Sequence, residues 1–258
     1  MDRAERPATG LPPPPRLRAA DIALFLDVDG TLLEIEREPG DVHVPERLCR
    51  ILERLQAATE GALALVSGRS LDQLDRLFSP LRFSAAGLHG LERRNLDRTT
   101  ERATPDPELF DRARRRLAEF ADSEEGVLLE DKGLTLALHY RKAPEAADAA
   151  GRVAETAVAE SRGALALLQG KMVYELKPPG FDKGRAITAF LDEAPFAGRQ
   201  PVFAGDDVTD EAGFEAINQR GGVSIRIGDG QATAAAFGCA DVMAMQTWLL
   251  DLLGAEAS

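Results

Sequence analysis

A chain of 258 residues with 43 acidic and 31 basic side chains carries a formal net charge of -12. That surplus rules out nucleic acid and anionic membrane as expected partners, because both demand a cationic surface, and any anionic substrate then depends on a local positive site. A hydrophobic fraction of 44% is that of an ordinary globular protein with length enough for one or two domains. The two cysteines, Cys49 and Cys239, form neither a disulfide scaffold nor a metal-ligand spacing, so a reducing cytoplasmic setting is expected. Cys49 lies in an apolar helical pattern and reads as a small core residue. No apolar run approaches the roughly 18 residues that cross a bilayer, and the N-terminus lacks the apolar segment of a secretory signal. Residues 1–20, with Pro12 to Pro15 in a row, read as a disordered Pro-rich leader.

Ordered structure is expected to begin with Ile22–Leu26, a short apolar run that stops at Asp27. Pro45 opens a helix with Leu48, Ile51, Leu52 and Leu55 on one face. Residues 62–66 repeat the buried-strand pattern after Gly61 and stop at Ser67. Ser70 is placed to cap a short helix carrying Leu71, Leu74 and Leu77, and residues 83–86 offer a third strand. Strand, helix, strand, helix in this order predicts a parallel sheet with helices on both faces. Between 104 and 177 the pattern changes. A helix over 107–120 precedes alternating runs at 127–132 and 134–141, and a helix over 145–162 precedes runs at 164–168 and 171–177. That is a small α+β unit on an antiparallel sheet, closed by Pro178, Pro179 and Gly180. The first style then resumes with a helix at Lys183–Leu191, a strand at 202–204, a helix at 210–218 and a strand at Val223–Ile227. The expected organisation is a Rossmann-like α/β core (21–103 and 178–258) interrupted by an inserted α+β cap (104–177).

Four clusters carry chemistry. Asp27-Val28-Asp29-Gly30-Thr31 sets two carboxylates two positions apart just past a strand, at the sheet edge where open α/β folds bind ligands. Alone, an Asp-rich turn is as readily a turn closed by side chain–backbone bonds. Ser67-Gly68-Arg69 follows the second strand and offers a hydroxyl with a free loop backbone to a phosphate. Lys183 opens a helix, where a point cation suits a phosphate oxygen or simply faces solvent. Gly205-Asp206-Asp207-Val208-Thr209-Asp210 crowds three carboxylates into five residues, which is costly unless a cation neutralises them, and hard oxygen donors favour Mg²⁺. Helix capping by Asp210 explains only one of the three.

Together and in this order the clusters resemble the haloacid dehalogenase superfamily of phosphatases: DVDGT, the Ser of LVSGR, the Lys of DKG, and GDDVTD. The resemblance implies that Asp27 is a nucleophile forming an aspartyl phosphate, and that Asp29 protonates the leaving oxygen and then activates water. It implies that Ser67 and Lys183 hold phosphoryl oxygens, with Arg69 among the substrate contacts. It further implies that Asp27, the backbone carbonyl of Asp29, Asp206 and Asp207 form the metal site. Asp207 is expected to act through water or Lys183, and Asp210 to stand behind the ligands.

The inserted segment carries the specificity. Glu130 and Lys132 share one strand face, and in the next strand His139 and Arg141 oppose Leu134, Leu136, Leu138 and Tyr140. In the last run Met172, Tyr174 and Leu176 alternate with Val173, Glu175 and Lys177. One face is expected to pack on the two helices while the other shows Glu, Lys, His and Arg, either to solvent or to sugar hydroxyls. GLHGLERR, EDKGLTLALHYR and GKMVYELKPPGFDKGRAI are similar to the trehalose-6-phosphate phosphatase family. This implies hydrolysis of trehalose 6-phosphate, with Glu130, Lys132, Glu175, His139 and Arg141 toward the sugar and His89 and Gly90 contributing backbone. Leu88 departs from the acidic residue often found before that His. A stand-alone, monomeric enzyme with a small sugar phosphate as its partner is expected. Sucrose phosphate and mannosyl phosphate remain alternative substrates. A phosphorelay receiver, which shares the acidic cluster, has about half this length and no use for Asp29.

Overall fold

The computed structural model describes residues 10–35, 43–95, 100–170, 172–228 and 232–254. Strand β1 (Ile22–Leu26) is buried at every position, and its two-residue period divides it between two cores. Ile22, Leu24 and Leu26 point into one, with α1 (Glu46–Ala58), α2 (Leu71–Leu77) and α7 (Val242–Gly254). Ala23 and Phe25 point into the other, with α5 (Lys183–Leu191) and α6 (Glu211–Gln219). The second core is aromatic: Phe25 lies 5.4 Å from Phe196 and 6.0 Å from Phe190, and Phe203 lies 5.4 Å from Phe214. Each such burial contributes about 1.5–3 kcal/mol.

On one side of β1 lie β2 (Leu63–Val66), β3 (Ser84–Gly87), β4 (Glu92–Arg94) and β5 (Thr100–Arg102), and on the other β10 (Gln200–Gly205), β11 (Val223–Ile227) and β12 (Phe237–Cys239). The six strands from β12 through β1 to β3 are parallel, and β4 returns antiparallel to β3. Leu24 is level with both Val202 and Leu63. Asp27, Ser67 and Asp206 therefore emerge side by side at the carboxyl edge. Ser70 caps α2 in a reciprocal box with Gln73, and Pro45 stands at the N-cap of α1.

The leader differs from expectation over its described part. Gly238 N, on edge strand β12, donates to Pro12 O at 3.0 Å, and Trp248 Nε1 on α7 donates to Pro15 O at 3.1 Å. Prolines lack the donor that a strand needs but keep carbonyls, and those of Pro12 and Pro15 fasten the chain to β12 and α7. Residues 1–9 lie outside the described residues. Strands β4, β5 and β12 and helix α7 are additions to the sequence reading. Cys49 is half-buried beside the first core, and Cys239 is buried.

By its contacts the chain falls into two compact units, one of Met1–Glu101 with Asp182–Ser258, the other of Arg102–Phe181. The smaller unit holds α3 (Pro107–Ser123), β6 (Leu128–Asp131), β7 (Leu136–His139), α4 (Ala147–Glu160), β8 (Ala166–Gly170) and β9 (Val173–Lys177). Its sheet is antiparallel throughout, in the order β6-β7-β9-β8. Asp106 caps α3, accepting from Glu108 N and Leu109 N, with Pro107 at the first helical position. Leu136, Leu138 and Leu176 turn one face onto Phe110 and Leu117 of α3 and the alanines of α4. Lys171, expected to open the last strand, lies outside the described residues.

Candidate active site

Asp27 directly follows β1 and has 4% of its surface exposed. The Lys183 ammonium, 2% exposed, donates to Asp27 Oδ1 at 2.8 Å and to Asp210 Oδ1 at 2.6 Å. Asp210 is wholly buried, and its second oxygen accepts the amides of Asp206 and Asp207, each at 3.0 Å. Of the two routes expected for Asp207, through water or through Lys183, the direct bond to Lys183 does not form. A 3₁₀ turn at Val208–Asp210 folds Asp210 back beneath the end of β10, whereas Asp207 is exposed and caps that turn by accepting Val208 N at 2.7 Å. Asp210, and not Asp207, is therefore the carboxylate that Lys183 meets beside Asp27.

Among the described residues, Asp27, Asp206 and Asp210 bring ligand oxygens within 4.8 Å of one another. One lysine faces three carboxylates. Burial pushes the Asp27 carboxyl well above its ordinary value, with Asp210 and Asp206 adding to the rise and Lys183 opposing it. Burial, then the charges of Asp210 and Asp207, push Asp206 up to about 7 against the pull of Lys183. Burial alone would lower Lys183, but Asp210 and Asp27 outweigh it and hold the ammonium charged. Asp206 Oδ1 is buried without a hydrogen-bond partner. Gly30, at φ +84°, passes so close that a Cβ there would stand 2.0 Å from Asp206 Oδ2. A partnerless buried oxygen in an oxygen-only carboxylate cluster fits a hard metal cation.

This arrangement sets a pH dependence for the metal-free protein. Asp206 has an ordinary value of 3.8 and a folded value of about 7, so between these limits the folded state holds more protons than the unfolded state. Stability then declines as pH rises through that window. Melting temperature in chelator is expected to fall from pH 5 to pH 8, and a saturating divalent cation to raise it more at pH 8 than at pH 5. A metal-free melting temperature that rises over this range would contradict the placement of Asp206.

The remaining core candidates surround this cluster. Ser67 directly follows β2 and is 1% exposed, with its Oγ accepting from Arg69 N at 3.2 Å. Arg69 makes two bonds to the Asp29 carboxylate, Nε to Oδ2 and Nη2 to Oδ1, both at 2.7 Å. That pairing is absent from the sequence reading, since nothing in the spacing joins loops 40 residues apart. His89 adopts left-handed backbone, φ 55°, and its amide donates to Ser67 O at 3.0 Å, with Gly90 following at φ +96°. Thr31, in the same turn as Asp29, is wholly buried.

In the smaller unit, Glu130, Ala137 and Glu175 are level across three strands and share one face with His139. His139 Nε2 lies 3.0 Å from Glu130 Oε2. Lys132 Nζ lies 3.6 Å from Glu175 Oε1 and 4.0 Å from Glu130 Oε2. Thr135 donates to Glu175 at 2.7 Å. Four of the five cap candidates thus form one polar cluster, with Leu128 exposed on the same face. Arg141 lies two residues beyond β7 and is exposed.

A family model described as trehalose-phosphatase matches residues 25–240, which contain every residue of both clusters. The chain belongs to the trehalose-phosphatase family. It is accordingly a phosphoric monoester hydrolase with the haloacid dehalogenase fold. It is 45% identical over 231 residues to the trehalose-6-phosphate phosphatase of Escherichia coli K12, covering 90% of this chain and 86% of that one. It is 47% identical over 206 residues to a probable trehalose-phosphate phosphatase of Sinorhizobium fredii, covering 80% and 77%. A solved trehalose-6-phosphate phosphatase related protein superposes with a TM-score of 0.72 at 26% identity, over 91% of this chain and 99% of that one. A phosphatase of the haloalkanoate (HAD) superfamily from Bacteroides thetaiotaomicron shares the fold at a TM-score of 0.61 and 18% identity, over 91% and 95%. Among the described residues no helix is long and apolar enough to cross a membrane.

Proposed function

We propose that this family member hydrolyses trehalose 6-phosphate to trehalose and phosphate through a phosphorylated Asp27, with Mg²⁺ as its metal. The observation that carries the mechanism is the opposite treatment of two carboxylates two residues apart. Asp27 is buried among carboxylates and oriented through Oδ1 by Lys183, while Asp29 is half-exposed and held by Arg69. Asp27 attacks phosphorus as the bond to the sugar oxygen breaks, and Asp29 gives that oxygen its proton. Asp29 then takes a proton from the water that attacks the aspartyl phosphate, which releases phosphate and restores Asp27. Lys183 and Ser67 hold phosphoryl oxygens through the transfer, which depends on charge neutralisation and alignment more than on a strong nucleophile. Asp27 and Asp206, with the Asp29 backbone carbonyl, would hold Mg²⁺, which would supply further charge neutralisation at the transferring phosphoryl group.

The Glu130–Lys132–His139–Glu175 cluster is the proposed reader of sugar hydroxyls. Glu175→Gln keeps an acceptor for Thr135 but loses the charge. It is expected to lower kcat/KM on trehalose 6-phosphate by about 2 kcal/mol, roughly 30-fold, and to leave a small generic ester unchanged. Equal losses on both substrates would contradict that role. The reaction itself is tested by phosphate release from trehalose 6-phosphate, sucrose 6-phosphate and a mannosyl phosphate, with and without Mg²⁺. Selective, Mg²⁺-dependent release from the first is expected, and preference for another ester would reassign the substrate. The cytoplasm and a monomer are the proposed setting and state, with Cys49 and Cys239 as free thiols in support of the first.

A further inference from the structure

Asp29 follows β1 and Arg69 follows its neighbour β2, so their ion pair ties together the loops at two adjacent strand ends. Within it the guanidinium is the better buried partner, its side chain 12% exposed against 35% for Asp29. The root of the arginine is also held. Its amide donates to Ser67 Oγ at 3.2 Å, and its carbonyl accepts Leu88 N at 2.9 Å. Gly87 lies against that carbonyl so closely that a Cβ there would stand 2.9 Å from it. An arginine anchored in this way imposes its orientation on the more exposed carboxylate, and two parallel bonds fix the carboxylate plane where one would leave it free to turn.

We propose that Arg69 is the positioning residue for Asp29, acting on the reaction through that carboxyl group and not by gripping the substrate's phosphoryl oxygens. This rests on the reading of Asp29 as the acid and base of the two steps. Both proton transfers need one carboxyl group aimed at the same point, first at the sugar oxygen and then at the attacking water. Misaiming it costs rate in both.

The test is a double-mutant cycle on the Mg²⁺-loaded enzyme with trehalose 6-phosphate. Arg69→Gln and Arg69→Lys are made alone and with Asp29→Asn, and kcat, KM and inhibition by inorganic phosphate are measured. Arg69→Gln is expected to lower kcat on the order of 10²-fold, with inhibition by phosphate unchanged. Arg69→Lys recovers little, because one ammonium cannot reproduce the two-point grip. Beside Asp29→Asn, either change at Arg69 costs nothing more. Losses that multiply in the double variant, or weaker inhibition by phosphate in Arg69→Gln, would overturn the proposal and make Arg69 a phosphoryl ligand. Full activity of Asp29→Asn alone would instead overturn the acid/base reading. Melting curves confirm folding of each variant, and where Arg69→Gln does not fold, the Arg69→Lys arm yields the same cycle.

Discussion

Asp27→Asn is expected to lose turnover by ~10⁴-fold or more while the metal-free protein melts no lower than its parent. The two effects share a cause. Asp27 is one of three carboxylates crowded on one lysine, and burial already pushes it away from the charged form that attack on phosphorus requires. Asparagine fills the same space, keeps an oxygen for the Lys183 bond, and removes a charge that Asp206 and Asp210 repel. The site gains stability by losing its nucleophile, and a kcat measurement beside a melting curve in chelator reads both effects. A variant that kept its turnover would end the nucleophile assignment. One that unfolded would show that the ion pair with Lys183 outweighs the repulsion.

Asp210→Ala is expected to behave in the opposite way. Asp210 accepts from Lys183 through one oxygen and from the amides of Asp206 and Asp207 through the other, in a place with no exposed surface. Removing it leaves three donors without that acceptor. Breaking one side of a buried pair costs about 3–5 kcal/mol, which in a chain of this size lowers the melting temperature on the order of 10 °C. The same loss frees the turn that aims Asp206, so the cation requirement rises as well. Differential scanning calorimetry of Asp210→Ala with and without Mg²⁺ measures both. An unchanged melting temperature would mean that Asp210 caps its turn and supports nothing else.

The contrast between these carboxylates marks where the sequence is legible. Apolar runs that stop at Asp27 and Ser67 announce parallel strands and a shared edge, because a strand buried on both faces has few other ways to read. The inserted helices and alternating strands are as plain, since period two separates Leu136 and Leu138 from His139 on the page. Strands β4 and β12 are three residues each, too short for a period to show. Helix α7 carries few charges and no one-sided pattern, so periodicity passes over it. Proline carbonyls that accept from β12 and Trp248 leave no trace in a composition that reads as a leader. At the site, residue types point to phosphoryl chemistry, but partners do not follow from them. Which of Asp207 and Asp210 meets Lys183 depends on one 3₁₀ turn, and Asp29 meets Arg69 because β1 and β2 are neighbours.

The proposed route carries the phosphoryl group through Asp27. Rapid acid quench of a single turnover, with trehalose 6-phosphate labelled at phosphorus and the enzyme in excess with Mg²⁺, tests it most directly. Transient label is expected on the peptide that contains Asp27, rising before phosphate appears and decaying as it does, with more label accumulating in Asp29→Asn, where loss of the base slows hydrolysis of the intermediate. Phosphate that appears at the full single-turnover rate with no protein-bound label at any quench time, in the parent and in Asp29→Asn alike, would contradict it.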